Sequence, residues 1–422
     1  MAVTANPRAF LETLFTAAVA AADPVRVIGA NLPKRPKGRT VVVGAGKGAA
    51  QMARAFERLW EGPLSGAVVT RYGFGVRCER VEVLEAAHPL PDENGLMASR
   101  RLLTEVGGLT EDDLVVALIC GGGSALLPSP PPGLSLADEI AVNRALLASG
   151  APIRAMNALR KHVSMIKGGR LAAAAHPARV VSLVVSDIPG DDPALVASGP
   201  TIADHSSRFD AVNTIERYRL SLPENVLRWL ASKAADAPKP SDPRFLRNEV
   251  RLIASAGVSL EAAAAKARAA GIEALILSDS IEGESRDVGL VHAAIAREVA
   301  TQGRPFQKPV VLLSGGETTV TVRGAGKGGR NSEFLLSLAR GIDGVQGISA
   351  LAADTDGIDG SEDNAGAFAD DNTIPRLLER GIDAAELLDR NDSWSAFDLL
   401  GDLFTPGPTG TNVNDFRAIL IR

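Results

Sequence analysis

The chain has 422 residues and a formal net charge of −5, a length that allows two or three domains with sizeable cores. Hydrophobic residues make up 45% and charged residues 23% of the chain, as in soluble globular proteins, and the acidic balance argues against a nucleic-acid-binding protein, which needs a basic face. Cys78 and Cys120 lie far apart without a Cys-x-x-Cys partner, so we predict neither zinc nor a disulfide framework and expect a cytoplasmic location without a membrane.

Strand-like apolar runs alternate with amphipathic helical segments along almost the whole chain, beginning with a helix whose face carries Phe10, Leu14 and Ala18. The predicted strands cover residues 40–43, 66–70, 81–85, 114–119, 180–185, 250–254, 273–277, 309–313, 318–322, 348–353 and 416–421. The predicted helices between them cover residues 47–60, 94–107, 135–149, 157–175, 210–219, 259–270, 286–302, 331–340, 373–380 and 394–400. This alternation predicts an α/β fold with mostly parallel sheets flanked by helices, in which ligands bind at the carboxyl ends of strands.

A polar, proline-rich segment marks the best candidate for a domain boundary. Ser232–Arg244 contains Pro238, Pro240 and Pro243 between two blocks of alternating strands and helices, which is typical of a linker. We therefore predict an N-terminal domain over residues 1–235 and a C-terminal domain over residues 245–422.

The first predicted strand runs into a glycine loop with a lysine at the start of a helix. Gly44 and Gly46 let the backbone approach phosphate oxygens, and Lys47 adds positive charge beside the free N–H groups of the helix. The loop is not a P-loop, but Gly44, Gly46 and Ala49 also fit the dinucleotide form G-x-G-x-x-A. Arg71, at the end of the next strand, would suit the 2′-phosphate of NADP, so a dinucleotide stays an open alternative.

A second glycine loop follows the buried strand at 114–119. Gly122 and Gly123 belong to a run of three glycines that forms a nest of backbone donors, and Ser124 can hydrogen-bond an anionic oxygen. A serine nucleophile is the alternative, but the G-x-S-x-G pattern is absent. The loop therefore favours anion binding.

A basic segment covers residues 157–170, within the predicted helix at 157–175. Arg160, Ser164 and Lys167 are expected on one helical face. The pattern fits an exposed basic stripe as well as a helix that lines an anion cleft, and the two interpretations stay open.

Aspartates follow two of the predicted strands. Asp187 and Asp191 come after the strand at 180–185 and could orient or deprotonate a substrate hydroxyl or hold Mg²⁺, although turn formation alone is an alternative. Asp354 and Asp356 end another strand, and Ile358 rules out an EF-hand loop there. Such acids beside a glycine loop suit metal and nucleotide chemistry.

The second half repeats the glycine and cation pattern. Arg330 and Asn331 follow Gly329 and open a helix, so that two cationic glycine loops, one in each half, indicate a cleft that closes on a polyanion. His88 lies in a proline-rich turn and is either a site residue or structural. Further candidate ligands at strand ends are Gly315, Gly316, Glu317 and Asn412.

Taken together in chain order, eight motifs resemble the glycerate 2-kinase family with a C-terminal MOFRL domain. They are Gly-Ala-Gly-Lys at 44–47, His-Pro-Leu-Pro-Asp at 88–92, Cys-Gly-Gly-Gly-Ser-Ala at 120–125, Asn-Ala-Leu-Arg-Lys-His at 157–162, Ser-Asp-Ile-Pro-Gly-Asp at 186–191, Ser-Gly-Gly-Glu-Thr-Thr at 314–319, Gly-Gly-Arg-Asn-Ser-Glu at 328–333 and the aspartate loop at 353–360. The resemblance spans nearly the whole chain. It implies a Rossmann-like N-terminal domain, a MOFRL domain and an active site in the cleft between them.

The resemblance also implies ATP-dependent phosphorylation of D-glycerate to 2-phosphoglycerate with Mg²⁺ or another divalent cation. Lys47 and Arg330 match the family's catalytic cations, Asp187 or Asp191 would act on the C2 hydroxyl, and Asp354 and Asp356 are the expected metal ligands. The partners expected are D-glycerate and the nucleotide, with no nucleic acid and a possible homodimer. The expected ligands of substrate or phosphate are Gly44, Gly46, His88, Gly122, Gly123, Ser124, Arg160, Lys167, Gly315, Gly316, Glu317, Gly329, Asn331 and Asn412.

Members of this family often carry the older label hydroxypyruvate reductase, so an NAD(P)H-dependent reductase is the alternative enzyme. It would use the glycines at 44–49 and Arg71, but it leaves the second cationic loop and the aspartates without a role. A non-catalytic nucleotide sensor is a third hypothesis, which predicts ATP binding without product.

Overall fold

A computed structural model describes residues 6–422, which form two compact units. The first unit is Pro24–Ile253, and the second is Ala254–Arg422 together with the first described helix, α1 (Pro7–Ala21). Within residues 6–422 no single helix is long and apolar enough to cross a membrane, and α1 passes that test only as a bent pair with α2 (Pro24–Ala30).

The first unit is built on a six-stranded sheet in the order β3-β2-β1-β4-β5-β6. Its strands are β1 (Thr40–Ala45), β2 (Ser65–Arg71), β3 (Glu82–Ala86), β4 (Leu114–Ile119), β5 (Arg179–Val185) and β6 (Glu249–Ala254). Strands β1 to β5 pair in parallel. Strands β2 and β3 lie on one side of β1, and β4, β5 and β6 lie on the other, so the strand order switches direction between β1 and β4. Strand β4 is apolar and buried at every position, as expected for a central strand of a parallel sheet.

The helices of the first unit cover the sheet and extend beyond it. After α2 they are α3 (Ala49–Leu59), α4 (Glu93–Glu105), α5 (Gly123–Leu126), α6 (Leu136–Ala148), α7 (Ile153–His162), α8 (Arg170–Ala174), α9 (Arg208–Arg217) and α10 (Glu224–Ala231). Helices α5 and α8 lie outside the predicted set or divide it, because they are too short to give a clear apolar period. Helix α10 was missed although Val226 and Leu230, four residues apart, are both buried.

The predicted helix at 157–175 is wrong, because the chain breaks between α7 and α8. Helix α7 ends at His162, and Gly168 and Gly169 adopt left-handed φ values of 62° and 82° before α8 begins. Two consecutive left-handed residues cannot continue a right-handed helix. Ser164 and Lys167 therefore do not share a helical face with Arg160.

The second unit has a six-stranded sheet in the order β11-β10-β9-β12-β8-β7. Its strands are β7 (Glu273–Ile281), β8 (Val310–Gly316), β9 (Ile348–Asp354), β10 (Gly366–Asp370), β11 (Leu403–Phe404) and β12 (Asp415–Ile421). Strands β7, β8, β9 and β11 run in one direction, and β10 and β12 run against them. The predicted α/β fold with helix-flanked sheets is confirmed. The first sheet is mostly parallel, whereas in the second sheet β7 and β8 pair in parallel and the other neighbours pair antiparallel.

The second unit departs from the sequence prediction at its edges. Residues 318–322 form no strand and contribute only the bridge between Thr319 and Glu284. Strands β10 and β11 were not expected, because β10 is short and rich in small residues and β11 has two residues. The helices of this unit are α11 (Ala256–Ala269), α12 (Ser285–Gln302), α13 (Arg330–Ile342), α14 (Thr373–Leu378), α15 (Ala384–Asp389) and α16 (Ser393–Leu400).

Helix α1 buries the predicted apolar face in the second unit. Phe10, Leu14 and Ala18 join one core with residues of α11 and β12, and the ring of Phe15 meets Phe404 edge-on with the ring centroids 5.0 Å apart. The structure thus differs from the predicted domain ranges, which placed residues 1–235 in one domain. Apolar burial against strands from the far end of the chain overrides proximity in sequence.

The predicted linker also differs from the structure, because residues 232–244 are attached to the first unit. Arg170 donates to the carbonyl of Ala235 at 3.0 Å, and Arg208 pairs with Asp236 at 2.7 Å. The side chain of Ala235 is fully buried. The division between the units lies at Ile253 and Ala254 instead.

Phe15→Ala should lower the free energy of unfolding by about 3–5 kcal/mol, because it removes a buried aromatic ring from the core of the second unit. Urea unfolding followed by circular dichroism measures the change. Phe209→Ala is the matched control, since the ring of Phe209 is 62% exposed and its removal should cost about 1 kcal/mol or less. Equal losses in the two variants would show that α1 does not stabilise this core.

Candidate active site

The loops after β1 and β4 meet backbone to backbone at the switch in strand order. The N–H of Lys47 donates to the carbonyl of Gly121 at 2.8 Å, and the N–H of Gly48 donates to the Sγ of Cys120 at 3.2 Å. Gly46 has a φ of 136°, and a Cβ on it would overlap the carbonyl and Sγ of Cys120. Only glycine fits this approach. Burial raises the pKa of the Cys120 thiol to about 12, so it acts as a neutral acceptor here.

Lys47 and His88 are brought together over the second glycine loop. A Cβ on Gly122 would lie 3.0 Å from the Cγ of Lys47 and 3.4 Å from the Nε2 of His88. Gly122 has a left-handed φ of 78° and precedes the short helix α5. The backbone of this loop therefore faces a lysine and an imidazole at the same point.

Further cations act on the same imidazole. The pKa of His88 is lowered to about 4 by desolvation and by the charges of Lys47, Arg71 and Arg160. The guanidinium of Arg71 lies over the ring of Phe74, 4.1 Å from its centroid. At neutral pH the histidine is uncharged, and this edge of the sheet carries three cations with an excess of positive charge.

Asp187 lies directly beside the glycine loop after β4. A Cβ on Gly121 would overlap the carboxylate of Asp187, so the acid occupies the space that a side chain at 121 would need. Asp191 lies further along the same loop with a left-handed φ of 50°. Asp187 is thus an acid at the switch point of the sheet.

Ser124 belongs to a buried chain of polar side chains. Its Oγ lies 2.7 Å from the Oγ of Ser198, which donates to the Oδ1 of Asn157. The amide of Asn157 donates to the carbonyl of Leu195 at 3.1 Å. Ser198 has a left-handed φ of 61°, a conformation that costs about 1–3 kcal/mol and persists where the surroundings require it. The network fixes the orientation of the Ser124 hydroxyl.

Arg160 and Lys167 have different roles from the shared face that the sequence suggested. The Nε of Arg160 donates to the Oδ1 of Asn143 at 3.0 Å, and its charge reaches His88. The Nζ of Lys167 lies 2.6 Å from the Oε1 of Glu139, and both side chains are at most 3% exposed. Lys167 is therefore neutralised inside the unit and does not line an open basic surface.

The second unit holds Arg330 at the centre of three carboxylates. Its Nε lies 2.6 Å from Asp415, one terminal nitrogen lies 2.6 Å from Asp354, and the other lies 2.9 Å from Glu317. Asp415 and Asp354 are buried, whereas the side chain of Glu317 is 49% exposed. The guanidinium is thus fixed on two sides and paired with a solvent-exposed acid on the third.

A second arginine, buried in the sheet, shares Asp415 with Arg330. Arg417, fully buried, pairs with the second carboxylate oxygen of Asp415. Burial alone would raise the pKa of Asp415, but Arg330 and Arg417 outweigh it and lower the pKa. Burial raises the pKa of Asp354 well above its ordinary value despite Arg330, with Asp356 adding to the increase.

The other candidate residues of the second unit gather at the same strand ends. The amide of Asn331 donates to Asp415 at 2.9 Å, and its backbone N–H donates to Asp359 at 2.9 Å, so Asp359 caps the start of α13. A Cβ on Gly329 would overlap Asp359. Glycines 315 and 316 end β8 beside β12, and Asn412 donates to Asp356 at 3.3 Å.

Asp354 and Asp356 do not form a metal site by themselves. Asp354 accepts from Arg330 and from the N–H of Asp356, while Asp356 accepts from the N–H of Ile358 and from Asn412. Across residues 6–422, no group of three or more histidine, cysteine or acidic side chains has the geometry to hold a metal ion. The predicted ligands are engaged with protein donors, and we derive no step from a metal held there.

Comparison with known proteins places these residues in a family. The family model for a domain of unknown function, DUF4147, matches residues 10–231, and the MOFRL family model matches residues 310–415. A D-glycerate 2-kinase of Thermotoga maritima is 40% identical over 406 residues, covering 96% of this chain and 95% of that protein. The chain belongs to the glycerate 2-kinase family. The resemblance inferred from the eight motifs is thus confirmed.

Other members of the glycerate 2-kinase family add structure and a caution about names. The crystal structure of glycerate kinase from Thermotoga maritima matches with a TM-score of 0.89 at 38% identity, covering 98% of this chain and 99% of that one. A protein of Agrobacterium vitis, 52% identical over 419 residues and covering 99% of this chain and 95% of its own length, bears a name that suggests a hydroxypyruvate reductase. Names within the family therefore point to two reactions.

Several residues at these sites lie outside the sequence prediction. Asp415 and Arg417 alternate on the last strand, and this spacing of two puts both on one face of the sheet, a signal that the sequence carried. Asn157 and Ser198 come together only through tertiary structure, and their separation of 41 residues along the chain gives no local signal.

Gly46→Ala should lower the free energy of unfolding more than Gly62→Ala, and it should displace the loop after β4. Both glycines have positive φ, 136° and 124°, but a Cβ on Gly62 meets no atom within 4 Å. Each variant carries backbone strain of about 1–3 kcal/mol, and the overlap with Cys120 adds about 1–3 kcal/mol at Gly46 alone. Urea unfolding of the two variants measures the difference, and equal losses would contradict the close approach.

The pKa of His88 should rise in Lys47→Gln from about 4 toward the unperturbed value of about 6.5. Removing a neighbouring positive charge makes protonation of the imidazole easier, so the direction is upward. Two-dimensional NMR of ring-labelled histidines over pH 3 to 8 measures the pKa. Lys47→Arg keeps the positive charge and should leave the pKa of His88 low. An unchanged pKa in Lys47→Gln would show that the charge of Lys47 does not act on His88.

Proposed function

We propose that this chain is a kinase that transfers the γ-phosphoryl group of ATP to the C2 hydroxyl of D-glycerate. Membership of the glycerate 2-kinase family supports the substrate and the reaction. The observation that carries the proposal is the pairing of Lys47 with neutral His88 over the glycine loop at 121–123, with Arg71 and Arg160 near enough for their charges to act on the imidazole. Phosphoryl transfer asks a protein mainly for positioning and for neutralisation of negative charge, and this arrangement offers both.

The residues of the first unit have complementary roles in this proposal. Lys47 and the backbone N–H groups after β4 bind phosphate oxygens, and Arg160 binds the remaining anionic group. Ser124 positions the glycine loop, because its hydroxyl proton is donated to Ser198. Asp187 accepts the proton of the C2 hydroxyl while the oxygen of that hydroxyl forms a bond to the γ-phosphorus. The bond to the bridging β–γ oxygen breaks, and ADP leaves. His88 stays neutral and donates or accepts one hydrogen bond without adding charge.

Arg330 of the second unit acts as a second cation in the proposal. Asp415 and Asp354 hold its guanidinium in a fixed orientation, while the pair with Glu317 is exposed and contributes little energy. A phosphate can therefore replace Glu317 without disturbing the two buried pairs. Binding of negative phosphate oxygens to a fixed guanidinium requires little reorganisation. The active site in a cleft between the domains stays a prediction.

ATP and a divalent cation are the proposed cosubstrate and cofactor, and the cell compartment is proposed to be the cytoplasm. Mg²⁺ commonly retains several waters and is held by substrate phosphates with one or two carboxylates, so it needs no preformed protein cage. Activity that persists in excess EDTA would remove the cation from the proposal. A homodimer is a further proposal, which the molar mass from light scattering tests.

An NAD(P)H-dependent hydroxypyruvate reductase is the second candidate function. It is favoured by the Agrobacterium vitis protein's name and by the strand order of the first unit, which is that of dinucleotide-binding sheets. Fold alone does not decide function. Incubation with D-glycerate, ATP and Mg²⁺ should release ADP and 2-phosphoglycerate, while hydroxypyruvate with NADPH or NADH should leave the absorbance at 340 nm unchanged. The opposite pair of results would overturn the kinase.

Lys47→Ala should lower kcat by about 100- to 1000-fold, because it removes a cation aimed at the charge that develops during transfer. Arg330→Lys should lower kcat as well, since lysine keeps one charge but cannot contact Asp415, Asp354 and a phosphate at once. A coupled assay for ADP release measures both. Lys37→Ala, an exposed lysine of the same unit, is the control and should retain activity. Near wild-type turnover in folded Lys47→Ala would remove this lysine from the mechanism.

A further inference from the structure

A second cationic cavity lies in the first unit, and none of the motifs or the proposed reaction uses it. It has a volume of about 540 Å³, within the range of small-molecule sites. We call it the arginine groove. Its lining residues are Arg54, Glu57, Arg58, Arg77, Glu79 and Arg80.

The groove lies at the opposite edge of the sheet from Lys47. Residues 77–80 lead into the amino end of β3, which begins at Glu82, and Arg80 donates to the carbonyl of Gly62 at 2.9 Å just before β2. Lys47 and the glycine loop at 121–123 follow the carboxyl ends of parallel strands. Most of the groove therefore lies toward the amino ends of the strands, away from the glycine loop, with Arg54 partway along α3.

One acid and one arginine of the groove are used to build it. Glu57 is 7% exposed, and its carboxylate accepts from the N–H groups of Glu79 and Arg80 at 3.0 Å each. The guanidinium of Arg80 donates to the carbonyls of Glu57 and Trp60. These bonds fix the segment at 77–80 against α3, so the groove is held in shape without a ligand.

Three arginines remain without a partner. Within residues 6–422, Arg54, Arg58 and Arg77 form no hydrogen bond or ion pair, and all three are exposed. Arg54 and Arg58 are one helical turn apart on α3, where like charges repel each other. Glu79 is the remaining acid of the groove, so the positive charge is only partly balanced. An anion bound among the three would relieve this repulsion.

We propose that the arginine groove binds a small, multiply charged phosphate compound. Guanidinium groups match phosphate oxygens bidentately, and three of them around one cavity suit a ligand with at least two negative charges. A nucleic acid is disfavoured because the chain carries a net charge of −5 and the site is a small concavity rather than a basic face. The proposal does not depend on the kinase reaction.

Isothermal titration calorimetry with pyrophosphate on the full chain tests this site. The titration uses Lys47→Gln throughout, so that binding at the glycine loops is weakened. This protein should bind one pyrophosphate, and adding Arg54→Gln, Arg58→Gln and Arg77→Gln should weaken that binding at least about tenfold, as expected for lost charge-assisted hydrogen bonds. Adding Arg100→Gln, Arg144→Gln and Arg228→Gln instead makes the same change in charge at other exposed arginines and should leave the affinity within about twofold.

Equal affinities in the groove and control proteins, or no binding to Lys47→Gln alone, would overturn the site. Citrate is a second ligand, and binding as tight as that of pyrophosphate would overturn the assignment to phosphate compounds. Arg58→Glu in the same background changes a single exposed residue and must also weaken pyrophosphate binding. Circular dichroism and Tm values verify that each variant is folded, and retained affinity in folded Arg58→Glu would count against the proposal.

Discussion

The close backbone approach of two loops underlies the site of the first unit. The loops after β1 and β4 are joined by main-chain hydrogen bonds, and a Cβ at Gly44 would lie 2.5 Å from the carbonyl oxygen of Leu118. Because no side chain separates the loops, Lys47 extends over the second loop and the backbone donors of that loop face the same space. A side chain at any of these glycines would move the cation and the donors apart.

The cations of the two units have opposite surroundings. At the switch point of the first unit, burial lowers the pKa of His88 first of all, and the charges of Lys47, Arg71 and Arg160 lower it further. In the second unit, Arg330 is held by buried Asp415 and Asp354, and the cost of burying these charges is offset by their mutual hydrogen bonds. Open charge attracts an anion, whereas a fixed guanidinium orients one, so the two arrangements suit different steps of binding a phosphorylated substrate.

The sequence was sufficient for the fold class, the family and most residues that lie at strand ends. The alternation of apolar runs with glycine loops is a local pattern, so it can be recognised from the sequence alone, as in the region around Lys47. What failed depended on long-range packing or on backbone freedom: the left-handed pair Gly168 and Gly169 divides a segment of helical composition. Lys167 was expected on an exposed basic stripe or in an anion cleft, yet it is buried in an ion pair with Glu139, which lies 28 residues away in the sequence.

Helix α1 has a consequence for how this protein is made. It is synthesised before the rest of the second unit, but the surface that covers Phe15 includes Phe416 in β12. At ordinary rates of synthesis the aromatic side of the helix waits roughly 20 to 80 seconds for that surface. The second unit therefore cannot complete its core in step with translation.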